Sequence, residues 1–407
     1  MAAARERLLT RNLLAYLVSR FCAGTAMAML RSGVGWHLFA LTGSAFQLGL
    51  IGLVQFIPAL GLVLVGGAVA DTHERPRIMR RAQSVSLTAG LIVGLATGAD
   101  VVHVGLLYAT VVLVAAANAF DNPARAALLP TLVPREVLPR AVTIASTNQA
   151  LAFATGPALG GLLIAARGPA LMYGVFVVLV AGSLIALGFV RPGRRDGPRS
   201  RVSAAAIREG VRFVRHQPVV LGCMTLDMFA VIFGGAAALL PVYAQDVLHV
   251  GPTGYGILAS SLEVGSLTMA LTLTLLPPIR HAGRALLAAV AAYGLATVVF
   301  GASRWFPLSV VAYGLVGVAD QVSVVLRSTV IQLATPDTLR GRVSAVNLLF
   351  IGASNQLGAA ESGFVAALTS APFAVVSGGV ASLVVVAVVA WWLPPLRRYR
   401  IEPPARA

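Results

Sequence analysis

Seven charged side chains lie inside long apolar stretches, where a charge is costly unless it is paired or hydrated. They are Asp227, Glu361, Glu263, Asp320, Arg20, Arg327 and Arg31. A carboxylate in apolar surroundings can take up and release a proton near neutral pH, and a nearby arginine favours its deprotonated form. Asp320 and Arg327 are seven residues apart and therefore share a helical face. The chemistry that these residues predict is reversible proton binding, and structural pairing is the alternative, above all for Arg327.

Twelve apolar stretches must position these charges. Each covers a ~30 Å hydrocarbon core at ~1.5 Å per residue when helical. With 57% hydrophobic and 11% charged residues, a soluble fold of 407 residues is excluded. The spans are predicted at about 13–38, 47–70, 82–99, 102–121, 141–166, 169–190, 218–242, 253–276, 285–303, 306–333, 343–368 and 372–393.

Arginine distribution predicts the orientation of these spans. Alternate gaps and the two termini hold 26 of the 31 basic residues, all of them arginine, whereas the opposite gaps hold only Arg167 and Arg304. Basic residues are retained on the cytoplasmic side, so both termini are expected in the cytoplasm. The formal charge of +16 is explained by arginines facing anionic headgroups, and no nucleic-acid partner is expected.

Other chemistries find little support. Cys22 and Cys223 fall in separate spans without metal-ligand spacing, so no metal site is expected. No nucleotide-binding loop and no Ser/His/Asp or Cys/His arrangement is present, so neither an ATPase nor another enzyme is predicted. An ion gradient, most simply of protons, or the substrate's own gradient would supply the energy, and no cofactor is expected. His37, near the end of the first span, is a weaker proton-site candidate.

The chain divides into halves that repeat. Residues 1–190 contain six spans, 191–217 form a polar linker, and 218–407 contain six more. An offset of 207 aligns Arg20 with Asp227 and Gly49 with Gly256. An offset of 202 aligns Arg125 with Arg327 and Gly161 with Gly363. The sequence therefore predicts an all-α polytopic membrane protein, with twelve transmembrane helices in two pseudo-symmetric six-helix bundles.

The turn after the second span reads Gly67-Ala-Val-Ala-Asp71-Thr-His-Glu-Arg75-Pro-Arg77. It resembles the signature loop of the major facilitator superfamily, although Thr72, Glu74 and Pro76 depart from that pattern. In the family this loop latches the cytoplasmic side, a role that the resemblance implies for Asp71 and Arg75. Gly67 is expected to permit close helix approach.

The fifth span contains Gly156-Pro157-Ala-Leu-Gly160-Gly161. Small residues allow helices to pack backbone to backbone, and proline bends a helix, so composition alone indicates packing. The segment also resembles the Gly-Pro-x-x-Gly-Gly element of drug–proton antiporters. That resemblance implies export.

Further stretches narrow the resemblance to the bacterial exporter branch that includes the enterobactin exporter. They are residues 118–130, 238–244 and 336–347. Relatives often have three acids in the eleventh span, where this chain keeps only Glu361. In the family the first and seventh spans line the cavity, so Asp227 is the first candidate for the coupling proton. Glu361 is the second, and Glu263 and Asp320 follow.

The hypothesis is a proton-coupled exporter of an amphipathic small molecule, drug-like or siderophore-like. It would work by alternating access as a monomer in the bacterial cytoplasmic membrane, with the lipid bilayer and the substrate as its partners. Uptake or lipid flipping on the same fold is one alternative. A non-transporting sensor or assembly factor is another, although no added soluble domain is evident.

Overall fold

The computed structural model describes residues 10–191, 204–277 and 279–401, and in this part of the chain every regular element is helical. Pieces of the predicted linker and tail, residues 192–203 and 402–407, lie outside the described residues. The long helices are α1 (Arg11–Thr42), α2 (Ala45–Thr72), α3 (Arg75–Gly98), α4 (Val104–Leu128), α5 (Leu138–Arg167), α6 (Pro169–Gly188), α7 (Ala204–His216), α8 (Pro218–Phe233), α9 (Gly251–Leu275), α10 (Ala282–Ala302), α11 (Phe306–Leu333), α12 (Arg340–Leu368) and α13 (Ala371–Trp392).

Each of the twelve predicted spans overlaps one long helix, and α7 lies within the predicted linker. Within the described residues, nine helices are long and apolar enough to cross a membrane. The three remaining helices that overlap predicted spans are α2, α3 and α12. The first turns of α3 and α12 hold arginines that belong at a membrane surface. The all-α polytopic membrane fold is confirmed.

The chain forms two compact units. The first contains Met1–Gly43, Val54–Arg201 and Gly251–Ser260, and the second contains the remaining segments, Ser44–Leu53, Val202–Val250 and Ser261–Ala407. In the first unit α1 packs on α5 and α6, and α3 packs on α4 and α6. In the second unit α10 packs on α11 and α13, and α8 packs on α12. These equivalent pairings agree with the repeat read from the sequence.

Two short segments group with the opposite half of the sequence, and glycines explain both. In the second unit the start of α2 lies against α12, where a Cβ on Gly49 would be 3.0 Å from the Gly363 Cα. In the first unit the start of α9 lies against α5, where a Cβ on Gly256 would be 3.0 Å from the Gly161 Cα. Only glycine permits such backbone contact.

Two of the predicted spans need correction. The fourth was predicted to end at residue 121, but α4 continues to Leu128 through Pro123, which places Arg125 inside the helix rather than in a gap. The seventh was predicted as one helix over 218–242. Instead α8 ends at Phe233, and a 3₁₀ turn, a short α-turn and a π-turn follow Gly234 and Gly235. Paired glycines weaken a helix at that point.

Candidate functional site

Asp227 and Arg327 form a buried ion pair in the second unit. Asp227 Oδ1 contacts Arg327 Nη1, and the side chains are 11% and 5% exposed, respectively. Asp227 lies on α8 and Arg327 on α11, so the pair joins two helices through residues that are 100 positions apart in sequence. The neighbouring core is apolar and includes Leu226, Leu326 and Val330. Removing one partner of such a buried pair lowers the stability of the fold, because the remaining charge is left uncompensated.

The break after α8 lies about two turns beyond Asp227. The Tyr293 hydroxyl of α10 donates a hydrogen bond of 3.0 Å to the Gly234 carbonyl. This bond satisfies a backbone acceptor at the break in the helix. Asp320 of α11 is half-buried and lies within electrostatic reach of the same hydroxyl. No described residue makes a hydrogen bond or ion pair with the Asp320 carboxylate. The Tyr293 hydroxyl therefore bonds the broken helix and lies within the electrostatic influence of Asp320.

Glu361 approaches the same break from α12. A Cβ on Gly235 would lie 2.8 Å from the Ser362 hydroxyl oxygen, and that hydroxyl donates to Glu361 Oε2 at 3.3 Å. Glu361 is half-buried. Asp227 thus lies on the broken helix itself, and Asp320 and Glu361 each lie near a side chain that contacts the break. The fourth predicted acid, Glu263, lies on α9 and is also half-buried.

Arg20 has a different environment, in the first unit. Its Nε donates to the Ala145 carbonyl and its Nη1 donates to the Tyr16 hydroxyl, both at 3.1 Å. Tyr16 in turn donates to the Arg125 carbonyl at 3.3 Å. Among the described residues no carboxylate pairs with Arg20. The arginine is held by neutral oxygens, which accept hydrogen bonds from two of its nitrogens without cancelling its charge.

Sequence reasoning missed a second buried ion pair, Asp121–Arg125, one turn apart on α4. Arg125 Nη2 lies 2.8 Å from Asp121 Oδ2, and both side chains are less than 10% exposed. Gln83 of α3 donates to Asp121 at 3.2 Å and accepts from Ser183 of α6 at 2.8 Å. Ser183 also bonds Ser19 of α1 at 2.8 Å. We call Ser19, Gln83, Asp121, Arg125 and Ser183 the Arg125 network.

A sequence signal for this network existed. Asp121 and Arg125 have the i, i+4 spacing of a helical ion pair, and the 202-residue offset already aligned Arg125 with the intramembrane Arg327. The polar run Asp121-Asn122-Pro123 resembles the end of a span, which hides the pair from a hydropathy pattern. Proline within the helix is tolerated here.

The α5 motif forms two tight contacts. Cβ atoms on Gly156 and Gly160 would lie 2.6 Å from Ala28 Cβ and 3.1 Å from Met29 Cγ, so this face of α5 lies on α1. A Cβ on Gly161 would lie 2.8 Å from the Gly256 Cα, at the start of α9, and the Pro157 carbonyl also faces Gly256. The motif thus packs α5 between two neighbours in the first unit.

The turn between α2 and α3 is described only in part. The surroundings of Gly67 and the side chain of Asp71 lie outside what the structure describes, so the latch contact remains a prediction. Arg75 donates to the Ala127 carbonyl at the end of α4, and Arg77 pairs with Glu74 at 3.1 Å on the surface. Close helix approach is made by Gly66, where a Cβ would collide with the Ala119 carbonyl.

Comparison with known proteins decides the family. Residues 13–403 match the family MFS_3, described as transmembrane secretion effector. The chain belongs to this family. The enterobactin exporter EntS of Escherichia coli O157:H7 (strain EC4115 / EHEC) is 28% identical over 398 residues, which cover 96% of this chain and 94% of that protein. The same values hold for EntS of Escherichia fergusonii. This MFS_3 member is therefore a multi-pass membrane transporter, as the sequence predicted.

Solved structures show the same fold. A bacterial homologue of the human lysosomal transporter Spinster, in an inward-facing, unoccupied conformation, matches with a TM-score of 0.68 at 16% identity, covering 98% of this chain and 99% of that one. The nucleoside transporter NupG matches with a TM-score of 0.71 at 14% identity, covering 96% and 100%. At these identities the likeness establishes the major facilitator fold alone.

Proposed function

We propose that this transporter exports an amphipathic small molecule from the bacterial cytoplasm in exchange for protons, by alternating access. The observation that carries the proposal is the buried Asp227–Arg327 pair. An ion pair inside a membrane protein marks a functional site more often than a structural one, because packing alone favours apolar residues. The nearby Asp320 and Glu361 give the same unit further sites for a proton.

The Asp227–Arg327 pair would couple proton binding to a change of conformation. While Asp227 is ionised, its contact with Arg327 holds α8 to α11. A proton on Asp227 removes its charge and weakens this contact, and the broken segment after Phe233 lets the end of α8 move with little loss of helical bonding. Proton binding would thereby select one conformation, and substrate binding would select the other.

Export rather than uptake is supported by two observations. The relatives reported above are named as exporters of enterobactin, and the α5 motif that resembles drug–proton antiporters packs through its glycines. The substrate class is therefore expected to include amphipathic compounds such as enterobactin. Asp71 and Arg75 would latch the cytoplasmic side, and both termini would lie there.

The test is transport into proteoliposomes that contain the purified chain and a pH gradient. A panel of amphipathic compounds, with enterobactin among them, is supplied outside inverted vesicles. The proposal expects accumulation that requires the gradient, disappears with an uncoupler and reverses when the gradient is reversed. Accumulation that does not depend on the pH gradient would contradict proton coupling. Gradient-driven movement only towards the cytoplasmic face would contradict export.

Orientation has its own test. Single cysteines are placed at Ser200 and Thr253 in a variant that lacks Cys22 and Cys223. With the termini in the cytoplasm, an impermeant thiol reagent labels Thr253→Cys in intact cells and Ser200→Cys only in opened cells. Labelling of both from outside would exclude this orientation.

A further inference from the structure

A groove outside the buried pairs opens where α2 ends, α3 begins and α4 passes alongside. Its volume is about 400 Å³, within the range of small-molecule sites. The walls are apolar side chains from all three helices, among them Val69, Ile78, Val85, Leu113 and Phe120. Val85 and Leu113 are 43% and 47% exposed, so the groove opens towards the surroundings of the first unit and not into its core.

Polarity changes along the α3 wall. Arg77, Arg81 and Val85 follow one another at intervals of four residues and therefore lie on one helical face. From the first to the last is about 12 Å at 1.5 Å per residue. The buried face of the same helix holds Gln83 and Ser86. The exposed face thus begins with two cations at the turn and becomes apolar deeper in the membrane, which is the order of headgroup and acyl chain in a lipid.

The rim has an excess of positive charge. Arg77 is partly neutralised by Glu74, 3.1 Å away. Arg81 is exposed and has no hydrogen bond or ion pair with any described residue. Exposed arginines beside an apolar groove at a membrane surface attract anionic headgroups, and each contributes about 1 kcal/mol. Guanidinium also matches the geometry of a phosphate, to which it donates two hydrogen bonds.

We propose that this groove binds an anionic phospholipid of the surrounding leaflet. The headgroup phosphate accepts hydrogen bonds from Arg81, with Arg77 beside it, and one acyl chain lies between α3 and α4 against Val85 and Leu113. A zwitterionic lipid carries an ammonium group that the two arginines repel. The site is therefore selective for headgroups with net negative charge, such as phosphatidylglycerol.

Native mass spectrometry of the purified protein tests this, with phosphatidylglycerol or phosphatidylcholine added to the detergent. Phosphatidylglycerol is expected to bind more tightly, and Arg81→Gln should weaken that binding about fivefold, which corresponds to one basic contact. Ala116→Trp fills the groove between α3 and α4 and should reduce the binding of both lipids. Arg81→Lys keeps the charge and should retain most of the preference.

Arg80→Gln is the matched control. Arg80 precedes Arg81, is also exposed, donates to the Pro76 carbonyl and does not line the groove. It should leave binding unchanged. Equal losses in the Arg80 and Arg81 variants would show only a general surface charge effect and would overturn the site. Equal affinity for both lipids, or competitive displacement of bound lipid by a transported compound, would overturn the assignment to an anionic lipid.

Discussion

Arg125 and Arg327 occupy equivalent positions in the two halves but have different partners. Arg125 pairs with Asp121 of its own helix, and Gln83, Ser183 and Ser19 extend that pair across four helices of the first unit. Arg327 pairs with Asp227 of another helix. At the aligned positions of the second half, the other four residues of the Arg125 network are replaced by Ser323, Leu226, Val290 and Val385.

Under the proposed mechanism, this difference gives the two arginines separate tasks. A pair within one helix keeps its geometry when helices move, and the hydrogen bonds of the Arg125 network hold four helices together. A pair between helices, surrounded by apolar residues, is sensitive to any change of charge or spacing. Under the proposed mechanism, the first half would keep its arginine in a fixed scaffold, and the second half would have the contact that a proton opens and closes. The following predictions test this contrast.

The largest effect is expected from Asp227→Asn. Gradient-driven transport in proteoliposomes should be abolished, because the variant can no longer exchange a proton at this position. Substrate binding should persist. The uncompensated Arg327 should also lower the free energy of unfolding by about 3–5 kcal/mol. Accumulation at the wild-type level would remove Asp227 from the mechanism.

Asp121→Asn is the matched control in the first half. It also leaves a buried arginine without its carboxylate, so its effect on unfolding, measured by thermal denaturation, should be of the same order. The pH dependence of transport should keep its wild-type shape. If the Asp121 variant loses gradient coupling as completely as the Asp227 variant, the proposed division between the halves is wrong.

A smaller effect on the transport rate, separable from proton coupling, is expected where α5 crosses α9. Gly161→Ala places a methyl group 2.8 Å from the Gly256 Cα, which must separate α5 from α9 and reduce the transport rate. Gly174→Ala on α6 is the control, because a Cβ there meets no atom within 4 Å. Initial rates at equal expression should fall for the first variant only. Equal rates would mean that the close crossing has no role in transport.

The smallest effect belongs to Gln83→Leu. It makes the first half resemble the second, where the aligned residue is Val290. Losing the bonds to Asp121 and Ser183 should cost about 1 kcal/mol for each bond, seen as a lower melting temperature. Proton coupling should remain. A loss of coupling would show that the network does more than hold the scaffold.

Sequence patterns were sufficient for the fold and insufficient for the pairing. Long apolar runs and the distribution of arginine define the helices, because hydrocarbon tolerates few alternatives. Asp227 and Arg327 were each predicted as candidates, but their contact depends on which helices are neighbours, and spacing along the chain does not contain that information. The break after Phe233 was missed, although Gly234, Gly235 and Pro241 signal it, because hydropathy continues unchanged through the segment.

Proton release on substrate binding tests the central claim most directly. The purified protein in weakly buffered detergent is mixed with a compound identified in the flux assay, and a pH-sensitive dye records the protons set free. Wild type and Asp121→Asn should each release protons, and Asp227→Asn should release none despite binding the compound. Undiminished release from the Asp227 variant, or loss of release from the Asp121 variant alone, would contradict the account.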